Sequence, residues 1–251
     1  MTDFCSHAVD ALEDVILEAI RQKFDTFALT EHMPRDQPSD LYPEEVSQTL
    51  DKDLYKKHLT PGDLQTTFDK YYQKAVALRA KYESQIRILI GFETEYIRPE
   101  SIQGVQTLLQ KFSFDYCVGS IHHVLGIPID YSSELWQKAR QECGGTDELL
   151  YGKYFDEQYD LLVQVRPLVV GHFDVIRLWA PDKMVKLRQW PSVWAKVTRN
   201  IDTVIQYGGL FELNSAAFRK GFEEAYPTSE IAKVITHSAS LTILGNNGER
   251  G

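Results

Sequence analysis

Four residues that can bind a metal ion stand where predicted β-strands end. They are His32, Glu93, His122 and His172, at the ends of the predicted strands 24–30, 86–92, 115–120 and 168–171, respectively. In βα barrels, residues at the C-terminal ends of successive strands converge on one face, even when they lie far apart in the sequence. Imidazole nitrogens and carboxylate oxygens are ligands for zinc, iron and manganese. The pattern therefore predicts a metal centre inside an α/β barrel.

Each of these residues also has an ordinary interpretation. Strand periodicity puts Glu93 and Glu95 on one face and Thr94 on the other. Two carboxylates on an inner face need cations to offset repulsion and desolvation; alternatively, the strand has ended and both are solvated. A histidine at a strand end can simply be hydrogen-bonded to its neighbours. Four such residues at matching positions favour the metal interpretation, because structural histidines have no reason to select strand ends.

Neighbouring residues sharpen the choice of ligands. His122 and His123 are adjacent, so in an extended backbone only one of them can face the interior. Ser120 shares a face with His122, which makes His122 the candidate ligand. In the same way, Asp174 shares a face with His172 and is a candidate partner that fixes the tautomer of its ring.

Three arginines each follow a predicted strand end by a few residues: Arg35, Arg177 and Arg219. A guanidinium group matches phosphate oxygens bidentately, so one or more of them could hold a phosphate. The alternative is that each is a solvated surface residue.

Helical and strand-like periodicity alternate along the chain. The predicted strands are the four above together with 210–213 and 241–244, and the predicted helices lie within 8–20 (with Ser6 as N-cap), 64–82, 102–109, 146–165 (with Thr146 as N-cap), 193–204 and 231–235. The segment 36–60 is interpreted as a long loop with short helical pieces, and 126–145 as another excursion. Strands that alternate with crossover helices predict a parallel sheet. Because the pattern opens with a helix, we expect an incomplete or distorted barrel without its first strand; the alternative, an open doubly wound sheet, lacks a glycine-rich phosphate loop.

Length and composition limit the possible classes of protein. The chain has 251 residues, which fits one α/β barrel domain over 1–251. Its formal charge of −9 argues against a nucleic acid or an anionic membrane as partner. An anionic small substrate stays possible if metals and arginines make the pocket locally positive. Cys5, Cys117 and Cys143 show no pairing pattern, and no long apolar span or leader is evident; we predict a cytoplasmic protein, with its oligomeric state left open.

Six motifs, taken together, resemble the histidinol-phosphate phosphatases of the polymerase and histidinol phosphatase (PHP) superfamily, especially the fungal form. The matching segments are 29–35 (Leu-Thr-Glu-His-Met-Pro-Arg), 91–96 (Gly-Phe-Glu-Thr-Glu-Tyr), 118–123 (Val-Gly-Ser-Ile-His-His), 126–130 (Gly-Ile-Pro-Ile-Asp), 171–177 (Gly-His-Phe-Asp-Val-Ile-Arg) and 212–220 (Glu-Leu-Asn-Ser-Ala-Ala-Phe-Arg-Lys). The resemblance implies a distorted (β/α)7 TIM-like barrel that holds a multinuclear cluster of zinc, iron or manganese. It also implies hydrolysis of L-histidinol phosphate, a small phosphate ester, to L-histidinol and phosphate in histidine biosynthesis.

The resemblance assigns roles to the candidate residues. The metal ligands would be His32, Glu93, His122 and His172; Glu93 would bridge metals, and Glu93 and His122 would act in catalysis. Arg177 and Arg219 would face the substrate phosphate; Arg35 is a further candidate because of its position after a strand end. The implied mechanism is in-line attack on phosphorus by a metal-activated hydroxide, with metals and arginine stabilising the charge on the oxygens.

The chain departs from the family pattern at two places. The family has a strand ending in His-x-His before its Phe-Cys-x-His-Ala stretch, whereas this sequence reaches Phe4 and Cys5 directly, and His7 is not a replacement. The family also has Ser-Asp-x-x-His after its last strand, where this sequence has Asn246 and Asn247. Fewer ligands should weaken the remaining metal sites, so we expect impaired activity. Two alternatives are an inactive remnant that binds metal or a phosphorylated ligand, and a phosphoesterase with another small ester.

Overall fold

The computed structural model describes residues 10–42, 45, 59–238 and 243–246. The predictions that concern Cys5, Ser6, His7 and Asn247 lie outside the described residues, as does the start of the predicted strand 241–244. The chain divides into two compact units, the first comprising Met1–Glu93 and Leu108–Tyr116 and the second Thr94–Thr107 and Cys117–Gly251. The prediction of a single domain over 1–251 stays a prediction.

The described strands and helices follow the predicted alternation. The strands are β1 (Thr26–His32), β2 (Arg87–Glu93), β3 (Tyr116–Gly119), β4 (His123–Val124), β5 (Ile127–Pro128), β6 (Val169–Val170), β7 (Leu210–Asn214) and β8 (Ile243–Asn246). The α-helices are α1 (Leu12–Arg21), α2 (Pro61–Tyr82), α3 (Ser101–Lys111), α4 (Ser133–Glu142), α5 (Asp147–Val165), α6 (Pro191–Tyr207), α7 (Ala216–Arg219) and α8 (Ser229–Ser238). Short 3-10 helices cover Pro38–Asp40, Val175–Arg177 and Leu187–Gln189. None of the helices in the described ranges combines the length and apolarity that crossing a membrane requires.

The first unit is built on the parallel pair β1 and β2. Their register runs from Thr26 opposite Arg87 to His32 opposite Glu93. Helix α2 packs on both strands and begins with a capping box, in which Thr60 and Asp63 satisfy each other's backbone N–H groups. The hydroxyl of Tyr71 on this helix donates to the Gly91 carbonyl oxygen at 2.8 Å. Helix α2 thus supports both strands and is hydrogen-bonded to β2 near its end.

The second unit contains the parallel strands β3, β6, β7 and β8, in that order. Val118 pairs with Val169, and Val169 pairs with Leu210. Helices α5 and α6 pack on each other, and the buried core beneath the strands includes Trp136, Tyr154, Phe155, Phe173 and Phe211. The predicted cap is confirmed, since the Thr146 side chain accepts a hydrogen bond from the Leu149 N–H at the start of α5.

The excursion predicted at 126–145 contains regular structure that the sequence did not indicate. Strands β4 and β5 form an antiparallel hairpin, with His123 opposite Pro128. Helix α4 follows, and its N-cap Ser132 accepts a hydrogen bond from the Leu135 N–H. The apolar residues of this segment are few and closely spaced, so neither strand had a detectable period of its own.

Candidate functional site

In the first unit, the end of strand β1 lies beside the end of strand β2. The His32 Nε2 and Glu93 Oε2 atoms are 3.8 Å apart, because the parallel register sets the two residues opposite each other. Both side chains keep partial access to solvent, 34% and 19%, respectively. An imidazole nitrogen and a carboxylate oxygen at this separation fit a divalent cation between them. Each of the two residues is the last residue of its strand, whereas the sequence placed it just after the strand.

Glu31 is a buried carboxylate beside this pair, and the sequence reasoning missed it. It is 6% exposed, and its Oε1 accepts a hydrogen bond from the His32 N–H at 3.1 Å. Burial raises the pKa of Glu31, and the Glu93 charge raises it further, whereas His32 opposes the shift. A cation at this strand end would reduce the repulsion between the two carboxylates.

In the second unit, His122 lies between another carboxylate and another imidazole. Its Nδ1 is 2.7 Å from Asp130 Oδ2, and its ring meets the ring of His172 edge to face, with centroids 4.8 Å apart. His122 is buried. Burial by itself would raise the pKa of Asp130, but His122, through its charge and its hydrogen bond, holds that pKa below the ordinary value. Two of the predicted ligands are therefore brought together, with a carboxylate that was not predicted as a site residue.

His172 is fixed through its backbone by Glu212. The His172 N–H donates to Glu212 Oε2 at 2.7 Å, and Asn214 Nδ2 donates to the same oxygen at 3.2 Å. Asp174, the predicted partner of the His172 ring, accepts a hydrogen bond from the Thr228 N–H at 2.9 Å. Its effect on the His172 tautomer stays a prediction.

The residues after Glu93 take different positions. Thr94 is fully buried, and its hydroxyl accepts from the Ser120 N–H at 2.9 Å and donates to the Ser120 carbonyl at 3.3 Å. Glu95 is 2% exposed. The strand does end at Glu93, but the alternative in which both carboxylates are solvated is wrong, because Glu95 is buried.

The three predicted phosphate-binding arginines have different surroundings. Arg35 is buried, forms an ion pair with Glu45 and lies over the Tyr42 ring at 4.5 Å. Arg219 is exposed at the end of helix α7. Their roles towards phosphate stay predictions.

Arg177 is almost fully buried, at 2% exposure. Its Nη2 donates to the carbonyl oxygens of Glu224 and Ala225, at 3.0 and 2.5 Å. Its guanidinium lies over the rings of Phe222 and Tyr226, 4.6 and 4.7 Å from their centroids. Among the described residues, its Nε and Nη1 have no hydrogen-bond acceptor. Its predicted role also stays a prediction.

In the first unit, His32 and Glu93 belong to a possible metal-binding set of two histidines and one glutamate among the described residues. His172 contacts His122 but is not in that set. Two nitrogens and a carboxylate form a donor set suited to zinc, iron or manganese. Sequence reasoning missed Asp130, Glu212 and Glu31, although the first two lie in the motifs at 126–130 and 212–220 and Glu31 in that at 29–35.

Parallel strands alternating with helices, and imidazole and carboxylate donors at the strand ends, define the class of metal-binding α/β barrel proteins. Within this class, the chain belongs to the PHP domain family, whose sequence profile matches residues 1–216.

Comparison with known proteins identifies relatives over nearly the whole chain. It is 49% identical over 242 residues to the "Probable histidinol-phosphatase" of Schizosaccharomyces pombe, covering 96% of this chain and 76% of that protein. It is 30% identical over 272 residues to the histidinol-phosphatase of Saccharomyces cerevisiae, covering 98% and 80%. The predicted family is therefore confirmed.

Solved structures show the same fold. A crystal structure from Listeria monocytogenes, assigned as a histidinol phosphatase, has a TM-score of 0.75 at 22% identity and covers 98% of this chain and 92% of its own. The histidinol phosphate phosphatase of Lactococcus lactis, crystallised with zinc, L-histidinol and phosphate, has a TM-score of 0.61 at 16% identity and covers 99% and 84%. The predicted fold class, an incomplete TIM-like α/β barrel, is confirmed.

Proposed function

We propose that this chain hydrolyses L-histidinol phosphate to L-histidinol and phosphate, a reaction of histidine biosynthesis, with divalent metal ions as cofactors. The observation that carries the proposal is the 49% identity, over 96% of the chain, to a protein named as a histidinol-phosphatase. The histidine and glutamate donors at the strand ends support it, since metal-assisted hydrolysis of a phosphate ester needs such a set. The Lactococcus lactis protein, which holds zinc with the two products of this hydrolysis, also supports it.

The proposed metal ligands are His32, Glu93, His122 and His172. A bound divalent metal supplies Lewis-acid stabilisation of the charge that develops on the phosphate oxygens. Glu93 contributes the anionic donor and compensates part of the metal charge. His122 and His172 would contribute imidazole nitrogens, and Glu212 accepts a hydrogen bond from the His172 backbone N–H.

The proposed phosphate-binding groups are Arg177 and Arg219, with Arg35. Arg177 is held by its Nη2, and its Nε forms an ion pair with Asp174 at 3.5 Å, so Nη1 is the atom that could donate to phosphate oxygens. The proposed substrate is a small phosphate ester, and we propose no nucleic-acid or membrane partner. The cytoplasmic location stays a prediction.

Phosphate release from L-histidinol phosphate tests the proposal. The purified chain, loaded with zinc or manganese, is compared on this ester, phosphoserine and glycerol phosphate. We expect L-histidinol phosphate to be preferred in kcat/KM. Glu93→Gln should lower kcat on the order of 100-fold or more, because metal ions contribute several kcal/mol to such transition states and each 1.36 kcal/mol is tenfold.

Glu83→Gln is the matched control, since Glu83 is an exposed glutamate of the same unit. Equal rates on all three esters would contradict the proposed substrate. Unchanged turnover in Glu93→Gln, with the metal content unaltered, would contradict the proposed ligand.

A further inference from the structure

Asp130 is a charged partner of the His122 ring. Its Oδ2 lies 2.7 Å from His122 Nδ1, a distance typical of a charge-assisted hydrogen bond. The Asp130 side chain is 21% exposed and that of His122 is 8% exposed, so water competes little for the contact. Both residues belong to the second unit.

The β4–β5 hairpin brings these two residues together. Eight positions separate them in the sequence, and the chain reverses between them at Leu125 and Gly126, whose φ angles are 52° and 74°. A two-residue hairpin turn of type I′ requires a positive φ at both central residues. The Ile129 N–H then donates to the His122 carbonyl at 2.9 Å, which delivers the next residue, Asp130, to the ring.

A second contact anchors the hairpin turn to helix α5. The Leu125 N–H lies 3.3 Å from Glu157 Oε1, which accepts its hydrogen bond, and Glu157 is buried on the helix. The turn is thus tied to a rigid element, so the position of Asp130 does not depend on a free loop.

We propose that Asp130 is a positioning residue for the metal centre. It accepts the His122 Nδ1–H, holds the ring in the tautomer that carries its proton on Nδ1, and leaves Nε2 for the metal. This inference rests on the proposed function only in taking His122 as a ligand. Asp130 occupies the Nδ1 side of the ring, so it acts through His122 rather than as a ligand of the same metal ion. Carboxylate partners of this kind typically change metal affinity by about 10–100-fold.

The first experiment measures zinc affinity by competition with a chromophoric chelator. We expect Asp130→Ala to weaken zinc binding about 10–100-fold. Asp130→Asn should lose less, because its amide oxygen can still accept the Nδ1–H although the negative charge is gone. Asp202→Asn, an exposed aspartate of helix α6, is the matched charge control and should keep the original affinity.

The second experiment reads the tautomer directly, by ¹⁵N NMR of the metal-free protein with the His122 signal assigned from His122→Gln. We expect Nδ1 to be protonated in the unaltered chain and in Asp130→Asn, and the two tautomers to mix in Asp130→Ala. A merely structural Asp130 would not move this signal. If Asp130→Ala does not fold, the asparagine variant and the unaltered chain still decide.

Zinc affinity of Asp130→Ala within about twofold of the original would overturn the inference, as would a neutral His122 ring that carries its proton on Nε2 in the unaltered chain. Neither readout requires turnover. A chain that binds zinc as expected but does not hydrolyse L-histidinol phosphate would refute the proposed function and leave the role of Asp130 standing.

Discussion

Gly171 precedes His172 and has no room for a side chain. A Cβ built on it would lie 2.4 Å from Ser120 Oγ and 2.9 Å from Val118 Cγ1. The serine hydroxyl can rotate away, but Val118 is β-branched and sits in strand β3, so its side chain has little freedom. Gly171→Ala must therefore displace β3 or the backbone before His172. Overpacking of this kind lowers the free energy of unfolding by about 1–3 kcal/mol, and Tm falls by roughly 2–12 °C for a chain of this size.

Thermal and urea unfolding of Gly171→Ala measure this effect. Gly62→Ala is the matched control, because its added Cβ would meet nothing closer than Thr60 Oγ1 at 3.7 Å. In the double variant Val118→Ala with Gly171→Ala, the clashing Cγ1 of Val118 is gone, so we expect the loss to be at least about 0.5 kcal/mol smaller than the sum of the two single losses. A loss below about 0.5 kcal/mol, or strictly additive single changes, would refute the steric reasoning.

Three further outcomes are expected. Thr146→Ala removes the acceptor of the Leu149 N–H at the start of α5 and should lower the free energy of unfolding by about 1 kcal/mol in urea titrations, with Thr146→Ser close to the original. Hydrogen bonds from Lys81 and Tyr82 lower the pKa of Glu13 below 4.5, so the stability it contributes is complete above its ordinary pKa and is lost as pH falls through the lowered value. Glu13→Gln should therefore lower the urea midpoint more at pH 7 than at pH 3. The difference between the midpoints at the two pH values should be smaller in the variant than in the original chain; an equal difference would contradict this. Chelation of a metal held at 100 times its Kd should remove about 2.7 kcal/mol of stability, seen as a drop in Tm.

The strand ends were predicted well because apolar runs and candidate ligand residues mark them independently. The first strand was predicted at 24–30 and is observed at Thr26–His32. Phe24 is apolar, but it is 40% exposed and follows a residue in the left-handed conformation, Lys23 with φ of 61°. Apolarity alone cannot tell where pairing begins, and here it begins only at Thr26 opposite Arg87.

The β4–β5 hairpin could not be predicted from the sequence, for a different reason. Each strand has two residues, which is too short for a period, and Pro128 argues against strand structure when it is read alone. The turn residues Leu125 and Gly126 give only half of the usual signal, since leucine seldom takes a positive φ. Without the hairpin, nothing in the sequence indicates that Asp130 reaches His122.

The arginines show why residue type alone does not rank candidate ligands of phosphate. Arg35 already faces the carboxylate of Glu45 in a buried ion pair. This carboxylate compensates the positive charge of the guanidinium group, which would otherwise attract a phosphate. Arg177 gives its Nη2 to neutral carbonyl oxygens, and its Nε faces Asp174 in a longer ion pair of 3.5 Å, so its Nη1 is the donor nitrogen that remains for an anion. Arg219 is exposed, and no described residue forms an ion pair with it. Because of these surroundings, Arg177 and Arg219 are better candidates for phosphate binding than Arg35. The sequence could not rank them, because the ranking depends on where Glu45 and the carbonyl groups of 224–225 lie in the fold.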